Sequence, residues 1–467
     1  MFFHRRPEGQ RATRPRRSLS ETIKLTLSFL SSKSSPPPDP YGMPPSPRRI
    51  EDIGRPKQLR HRVRQHPDSN SDLHFIHRLP VEILALIFLA GSEDDIFFPV
   101  TISHVSRAWR QIALRTPTLW RRISLSPKER MWKERIRRAR ACSLDIQLLP
   151  IKTRSRGEPK HADLDPYSIQ WHMHIVLPYI NRWRSLEIVF PEFVPYLWKA
   201  ALSRCCSRSG AQAPLIEDLK LLHRANEDPE AFTLFSGSAP RLRKATLNGI
   251  RLNWLPSLFA GLTYLDYTHH GFTAGHQAVH DVVDMLKVSS QLVDLRITFP
   301  RKPVVCLPCR QDAVCTQVCL PRLQTLQLRV EGKDIPFELA RIATLLITPS
   351  LRSLRLIDQG RSYNSFASLK QFFYIYALPP SLNTVRIEHG WYDPRMVTPI
   401  AQSHSKVRQI IIKRSHQPEQ VINLKPLSRT RKVSHNGKPV PATSSTNADW
   451  TSKGSHFGIQ RLDVQYF

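Results

Sequence analysis

The sequence is poor in glycine, with 17 glycines among 467 residues. Loops that hold phosphate groups need glycine at several backbone positions, because only glycine adopts the required conformations freely. No such loop is present, and the sequence also lacks an HExxH metal motif and a GxSxG nucleophile elbow. We therefore expect the chain to have no enzymatic activity of its own and to need no cofactor.

The sequence also lacks an apolar run long enough to cross a membrane, which takes roughly 18 or more residues. It has seven cysteines, an odd number without the regular spacing of a disulfide framework, as expected for reduced thiols inside a cell. These two absences predict a protein of the cytoplasm, the nucleus or both, without a membrane partner.

Acidic residues are scarce, because 38 Asp and Glu stand against 69 Lys and Arg and give a formal net charge of +31. Such an excess attracts polyanions such as nucleic acids. However, the basic residues are spread along the whole chain, and no aromatic residues are interleaved with a basic cluster as they are on base-stacking surfaces. We therefore expect the basic residues to form a solvated surface, and we do not expect nucleic acid to be the physiological partner.

Residues 1–72 contain little that could form a core. Prolines, including Pro36-Pro37-Pro38, and scattered serines and arginines predict a disordered basic leader. An arginine-rich start is also typical of a mitochondrial presequence. The apolar residues that follow it are sparse, so we favour the disordered leader.

Residues 79–123 are strongly apolar, and their apolar side chains run on more than one helical face. Two adjacent stripes are present: Pro80, Ile83 and Ile87, and Val81, Leu84 and Phe88. A surface helix needs only one such stripe, and a module of about 45 residues is too small to cover both. The spare face therefore predicts an obligatory protein partner.

Three motifs follow one another in this segment: LPxEIL from Leu79, VSRxWR from Val105, and LW just before Arg121. In this order they resemble the F-box, and the resemblance implies a three-helix module at 73–125 that docks onto a Skp-family adaptor of a cullin–RING ubiquitin ligase. A buried helical hairpin of a larger domain is the alternative interpretation. The resemblance implies the following adaptor-binding or module-defining residues: Leu79, Pro80, Ile83, Ile87, Val105 and Trp109.

After the F-box-like segment, residues 126–180 are expected to hold a linking helix (128–140) and a first strand (144–148). From about residue 181 the chain repeats an apolar-x-x-apolar-x-apolar unit, with starts mostly 20 to 33 residues apart and helical stretches between them. Each unit is expected to form a strand. The units start at Trp183, Ile216, Leu242, Leu262, Leu292, Leu323, Leu351, Leu382, Val407 and Ile459.

A strand followed by a helix at this period resembles a leucine-rich repeat. The resemblance implies an α/β fold in which residues 181–467 form an irregular solenoid of parallel strands and helices, because repeats of this kind bury their apolar faces against their neighbours. Residues 413–456 are polar and predict a flexible insertion before the last strand. A helical-repeat array and a βαβ sheet are the alternatives.

One cysteine cluster has the spacing of metal ligands: Cys306, Cys309, Cys315 and Cys319. Four thiolates can close a tetrahedral zinc site, but the two pairs are only five residues apart. We therefore favour free thiols and expect no metal. Among the histidines, the pair His269-His270 has no carboxylate at a spacing that would complete a metal site.

An F-box followed by leucine-rich repeats implies a substrate-recognition subunit of an SCF-type ubiquitin ligase, and the whole resembles large F-box families of mushroom-forming fungi. Two alternatives stay open: a non-ligase F-box scaffold, and a basic repeat scaffold that binds nucleic acid or other polyanions. The middle positions of the strand motifs would read a protein target, and because most are basic they favour an acidic or phosphorylated one. These candidates are Lys220, Arg296, Gln327, Arg355 and Arg386, next to Glu187 in the same position.

Overall fold

The computed structural model divides the chain into two compact units. The first ends at Ile123 and takes in Lys133–Cys142, and the second takes in Ser124–Trp132 and continues from Ser143. The structure describes residues 75–125, 129–149, 165–191, 196–206, 211–299, 316–331, 335–358, 378–389, 400, 407–413, 419–424 and 463–466. The predicted leader at 1–72 lies outside these residues.

The first unit is helical, as the F-box resemblance implied. Helices α1 (Val81–Asp94), α2 (Phe98–Ser103) and α3 (Arg107–Arg115) follow one another, with 3-10 turns at Phe75–Arg78 and Pro117–Trp120. Local chemistry sets two of these boundaries. Pro80 directly precedes α1, where its missing N–H leaves no bond unmade. The Ser106 hydroxyl caps α3 by accepting a hydrogen bond from the backbone N–H of Trp109 at 3.2 Å.

The core of the first unit is aromatic. Phe88 of α1 packs on Trp109 of α3, with ring centroids 5.0 Å apart. Phe98 lies so close to α1 that a Cβ at Gly91 would be 2.6 Å from its Cζ atom. The indole N–H of Trp120 donates to the Ala113 carbonyl at 2.9 Å. Glycine at 91 is therefore needed for space, because any larger residue would push the Phe98 ring out of its place.

Helix α4 (Glu129–Arg138) contributes Arg135 to this unit as a buried cation. Its guanidinium donates to the carbonyls of Ile96 and Arg122 at 2.9 and 3.1 Å. Burial lowers the pKa of Arg135 to about 10, so the side chain remains charged at neutral pH. The guanidinium of Arg138 lies 4.5 Å from the centroid of the Trp120 ring, within the range of a cation–π contact.

The second unit is built on a sheet whose strands pair in chain order. Strand β1 (Arg122–Ser124) occurs where the chain passes from the first unit to the second. In the second unit, every pair from β2 to β11 is parallel. The strands are β2 (Leu144–Leu148), β3 (Trp183–Phe190), β4 (Asp218–His223), β5 (Lys244–Asn248), β6 (Tyr264–Thr268), β7 (Asp294–Phe299), β8 (Thr325–Val330), β9 (Ser353–Asp358), β10 (Thr384–His389), β11 (Gln409–Lys413), β12 (Gln420–Asn423) and β13 (Asp463–Tyr466).

The sequence repeat corresponds to a repeated hydrogen-bond pattern. At the first apolar position, the N–H of Leu242 donates to the carbonyl three residues earlier, and the same turn recurs at Leu262, Leu292 and Leu323. One residue later, the carbonyl of Arg243 accepts from two successive N–H groups of the next repeat. The apolar positions of neighbouring strands are in register and buried: Leu186, Leu219, Ala245, Leu265, Leu295, Leu326, Leu354, Val385 and Ile410.

Helices connect some of these strands, as predicted. They are α5 (Pro166–Val176), α6 (Leu197–Leu202), α7 (Pro256–Phe259), α8 (Gly275–Val288) and α9 (Phe337–Leu345), with 3-10 turns at Leu177–Arg182 and Leu234–Gly237. Two further pairs of two-residue strands lie beside the main sheet: Ala231–Phe232 with Arg251–Leu252, and Val318–Cys319 with Leu346–Ile347.

The end of the sheet differs from the prediction. Strand β12 lies inside the region predicted to be a flexible insertion, and it pairs antiparallel with β11. Strand β13, expected to continue the parallel repeat, instead pairs antiparallel with β12. The sequence of β12, Gln-Val-Ile-Asn, is too short and its flanks too polar for periodicity to reveal it. The fold is therefore mixed α/β, with a mostly parallel rather than an all-parallel sheet.

Candidate partner-binding surfaces

Helix α1 carries apolar side chains on two opposite sides. Leu84 and Phe88 point into the core, and Leu84 is 5% exposed. On the other side, Ile83 and Leu86 are 43% and 61% exposed. Val81, which belongs to the same stripe as Leu84 and Phe88, is 57% exposed, so the two stripes of the sequence do not coincide with the buried and exposed sides. We call Pro80, Ile83, Leu86 and Ile87 the outer face of α1.

The six predicted adaptor-facing or module-defining residues do not share one environment. Pro80 and Ile83 are exposed, and Leu79, Ile87 and Val105 are partly buried. Trp109 lies in the interior against Phe88, so the structure assigns it to the core and not to the surface. Spacing alone could not separate these positions, because helical periodicity gives the direction of a side chain but not which side is covered.

Further exposed apolar residues of the first unit were missing from the predicted set: Val81, Leu86, Phe97 and Leu114. Leu86 follows Ile83 by three residues and so extends the same face. This spacing could have identified it from sequence.

The predicted target-binding residues of the second unit lie in one row across the sheet. Arg296 pairs in register with Gln327, Gln327 with Arg355, and Arg355 with Arg386. Lys220 occupies the same row three strands before Arg296. The equivalent positions of the repeats therefore lie side by side, but Gln327 is only 4% exposed, so its prediction as a target-binding residue does not fit the structure.

Most charges in this row are neutralised within the protein. The Lys220 ammonium lies 2.6 Å from a carboxylate oxygen of Glu187. Arg296 bonds to Asp294 of its own strand at 3.1 Å, and its guanidinium also lies 4.9 Å from the Tyr264 ring centroid. In the next row, Arg329 makes two bonds to Asp266, at 3.2 and 2.8 Å. A count of basic residues alone thus overstates the free positive charge.

Glu388 is the acidic centre of the row's C-terminal part. Arg355 binds both of its carboxylate oxygens, at 2.6 and 2.8 Å, and Arg386 binds the same carboxylate and that of Glu419. Burial opposes ionisation of Glu388, but the two guanidinium groups outweigh it and hold the pKa of Glu388 below its usual value. Arg355 and Arg386 therefore support the fold as well as lining the surface.

The carboxylate of Asp281 lies close to His269 and His270, although the spacing of these residues in the sequence did not suggest it. Asp281 of α8 brings its oxygens within 4.8 Å of the ring nitrogens of both buried histidines. Backbone N–H groups donate to Nδ1 of His269 and of His270, at 3.2 and 3.1 Å. The proton of each neutral ring is therefore on Nε2, which then has no lone pair for a metal ion.

The hydrogen bonds of this histidine cluster indicate a structural role and not a metal site. The Thr273 hydroxyl donates to Asp281 at 2.7 Å and lies 3.2 Å from Nε2 of His269. Burial lowers the pKa of His270 to about 4, and it lowers the pKa of His269 well below its ordinary value. Both rings are thus neutral at physiological pH and serve as buried hydrogen-bonding groups.

The outer face of α1 lies in a segment that matches a known protein family. Residues 76–126 match the F-box-like family. F-box domains bind Skp-family adaptors of cullin–RING ligases, so the F-box-like module indicates an adaptor-binding role. No curated protein matches the chain.

The match covers helices α1 to α3 and none of the repeats. In the F-box-like module, LPxEIL begins α1 and VSRxWR begins α3, with Trp109 in the core between them. Of the cysteine cluster expected to be free thiols, Cys306, Cys309 and Cys315 lie outside the described residues, and Cys319 is exposed in a two-residue strand. Within the described ranges, none of the helices has the length and apolarity needed to cross a bilayer.

Proposed function

We propose that this protein is a substrate-recognition subunit of an SCF-type ubiquitin ligase. The F-box-like module would bind a Skp-family adaptor, and the second unit would bind a protein target. The observation that carries the proposal is the exposed apolar outer face of α1 in a segment that matches the F-box-like family. The protein would act by positioning a target and not by chemistry of its own.

The energetics of the outer face support adaptor binding. Burying one large apolar side chain is worth about 1.5–3 kcal/mol. Ile83 and Leu86 together would therefore account for much of the affinity of an interface of ordinary size, about 800 Å² per partner. Leaving both in water brings the free module no benefit, so a covering partner explains why they are apolar.

The second unit would act as a leucine-rich-repeat-like solenoid that presents the row from Lys220 to Arg386 to its target. Its in-register strands and recurrent turns support this interpretation. Because the row alternates cations with their own acidic partners, a target surface of mixed charge fits it as well as a purely acidic or phosphorylated one. The internal ion pairs also leave less charge for nucleic acid than the composition suggests.

The test is a titration of a purified Skp-family adaptor into the full chain by calorimetry. The variant Ile83→Ala/Leu86→Ala removes exposed apolar groups without touching the core. We expect its affinity for the adaptor to fall at least tenfold, because both side chains would be at least partly buried at the interface with the adaptor. A matched control is Ile347→Ala, because Ile347 is 44% exposed and lies in the second unit.

Binding lost in the α1 variant and retained in Ile347→Ala supports the proposal. If the folded wild-type chain does not bind the adaptor, the ligase assignment is wrong. An equal loss in both variants would show that the interaction does not involve the outer face of α1.

A further inference from the structure

A cleft of about 550 Å³ lies at the start of three neighbouring strands of the second unit. Its walls come from equivalent positions of β3, β4 and β5, at the N-terminal edge of the sheet. The start of β5 contributes Arg241, Arg243 and Lys244, the start of β4 contributes Glu217 and Asp218, and the start of β3 contributes Arg184 and Ser185. Asp218 is the register partner of both Ser185 and Lys244, so the acidic residues lie between the residues of the two flanking strands. The cleft is therefore polar, with acidic residues in its middle and basic residues on both flanking strands.

The cations of this cleft differ in how they are engaged. Arg184, at its edge, makes two bonds to Asp145, both 2.9 Å long. Burial raises the pKa of Asp218, and Lys244, its register partner on β5, opposes this shift. In the part of the chain that the structure describes, Arg241 and Arg243 form no ion pair. Two guanidinium groups two residues apart in sequence, on either side of buried Leu242, are thus left without an anion.

Arg243 is nevertheless held in a fixed position. Its Nη1 donates to the carbonyls of Pro240, Leu242 and Gly261, at 3.3, 3.1 and 3.3 Å. The backbone also makes room for it, because a Cβ on Gly261 would overlap Nη1. Nε and Nη2 of Arg243 have no partner among the described residues. A guanidinium ordered by carbonyls on one edge and open on the other loses little further entropy when it binds an anion.

We propose that this cleft binds an oxyanion, a carboxylate or a phosphate, of the polypeptide target. Arg241 and the open edge of Arg243 donate to the anion, since guanidinium groups match such oxygens geometrically. Glu217 and Asp218, on the neighbouring strand β4, disfavour an anion above that strand and so confine it to the β5 side of the cleft. That the anion belongs to a target rests on the proposed function, whereas the anion site itself does not.

Inorganic phosphate is the first probe, titrated into the full chain by calorimetry at constant ionic strength. Arg241→Gln and Arg243→Gln should each weaken its binding about tenfold, because each removes charge-assisted hydrogen bonds. Gly261→Ala keeps every charge but displaces the guanidinium of Arg243, and it should weaken binding several-fold. Arg352→Gln is the matched control, because Arg352 occupies the position of Arg243 in a later repeat, outside the cleft.

Loss in the cleft variants with an unchanged control establishes the site. An equal loss in Arg352→Gln, or no loss in Gly261→Ala, means that phosphate responds only to the general basic surface, and it overturns the proposal. The absence of saturable phosphate binding overturns it as well. Arg241 is exposed, so its variant remains informative if Gly261→Ala fails to fold.

Two peptides of identical sequence, one with a single glutamate and one with a single phosphoserine, then compete with phosphate. Competition by the first identifies a carboxylate, and competition by the second identifies a phosphate. If neither competes, the ligand is not a polypeptide anion and that part of the proposal is wrong. Adaptor binding is measured separately: its failure contradicts the ligase role, while phosphate binding without it leaves the cleft site intact.

Discussion

Two adjacent residues of α1, Ile83 and Leu84, offer a sharp test of the first unit's structure. The Leu84 side chain is almost fully buried, and that of Ile83 is 43% exposed. Truncating a buried leucine to alanine costs about 2–5 kcal/mol, because it removes apolar contacts and leaves a cavity. Leu84→Ala should therefore destabilise the unit by at least 2 kcal/mol, a roughly thirtyfold change in its unfolding equilibrium.

Ile83→Ala should behave differently in spite of the similar change in volume. It leaves no cavity, and alanine is a better helix former than isoleucine by a few tenths of a kcal/mol. We expect the free energy of unfolding of the first unit to change by less than about 0.5 kcal/mol, as for ordinary surface substitutions.

Hydrogen exchange measured by mass spectrometry on peptides from 81–115 is the appropriate assay. A global melting curve would mix two units, and a single unfolding free energy is not well defined for such a chain. Exchange of the slowest amides in α1 and α3 should accelerate about thirtyfold or more in Leu84→Ala and hardly at all in Ile83→Ala. If Ile83→Ala accelerates exchange as much as Leu84→Ala, the outer face is part of a core and the argument for a docking surface is refuted.

Three further outcomes follow from the same reasoning. Gly91→Ala should destabilise the first unit by about 1–2 kcal/mol through overpacking against Phe98, and exchange of the same peptides checks this; a more stable variant would contradict it. Glu388→Gln should lower the midpoint of urea unfolding of the second unit by an amount equivalent to about 2 kcal/mol, because two guanidinium groups lose a buried anionic partner; an unchanged midpoint would show that the pairs are solvated. Protonation of His270 alone should cost the second unit about 2 kcal/mol of stability between pH 7 and pH 5, because the unfolded chain protonates this histidine near its ordinary pKa of 6.5 and the folded chain only near pKa 4; His269, whose pKa burial also lowers, adds to the loss. His270→Asn keeps an acceptor for the backbone N–H but does not titrate, so it should reduce the slope of the urea midpoint against pH while the contribution of His269 remains; a slope equal to that of the wild type would exclude His270 as a cause.

The parts of the fold that follow from short-range periodicity were predictable. The LPxEIL and VSRxWR motifs located α1 and α3, and the apolar repeat located strands β3 to β11, because the direction of each side chain follows from its position in a helix or strand. Strand β12 could not be predicted, because four residues with polar flanks give no period. Its antiparallel direction depends on a reversal of the chain that the repeat pattern does not contain.

The candidate surfaces were predicted less completely, for a different physical reason. Spacing correctly placed Lys220, Arg296 and Arg386 in one row, but it did not identify which charges are already neutralised. Glu187, the partner of Lys220, and Glu388, the partner of Arg355, come from neighbouring strands, 33 residues away along the chain. Ion pairs between neighbouring strands can be identified only when the register of the strands is known. For a similar reason, the sequence alone did not show that Asp281 lies next to His269 and His270.

The ion pairs also determine which residues of the basic row are suitable for a binding test. Glu388 is 1% exposed, so replacing Arg355 or Arg386 by alanine leaves part of a buried carboxylate unpaired, which is costly to the fold whatever its effect on a target. A loss of binding in such a variant would therefore confuse instability with recognition. Lys220 is different, because its pair with Glu187 is partly solvent-exposed and worth about 1 kcal/mol or less. Lys220→Gln, together with the Arg241 variant, thus tests recognition through positions whose loss the fold can tolerate, and binding that survives both would place the target elsewhere on the second unit.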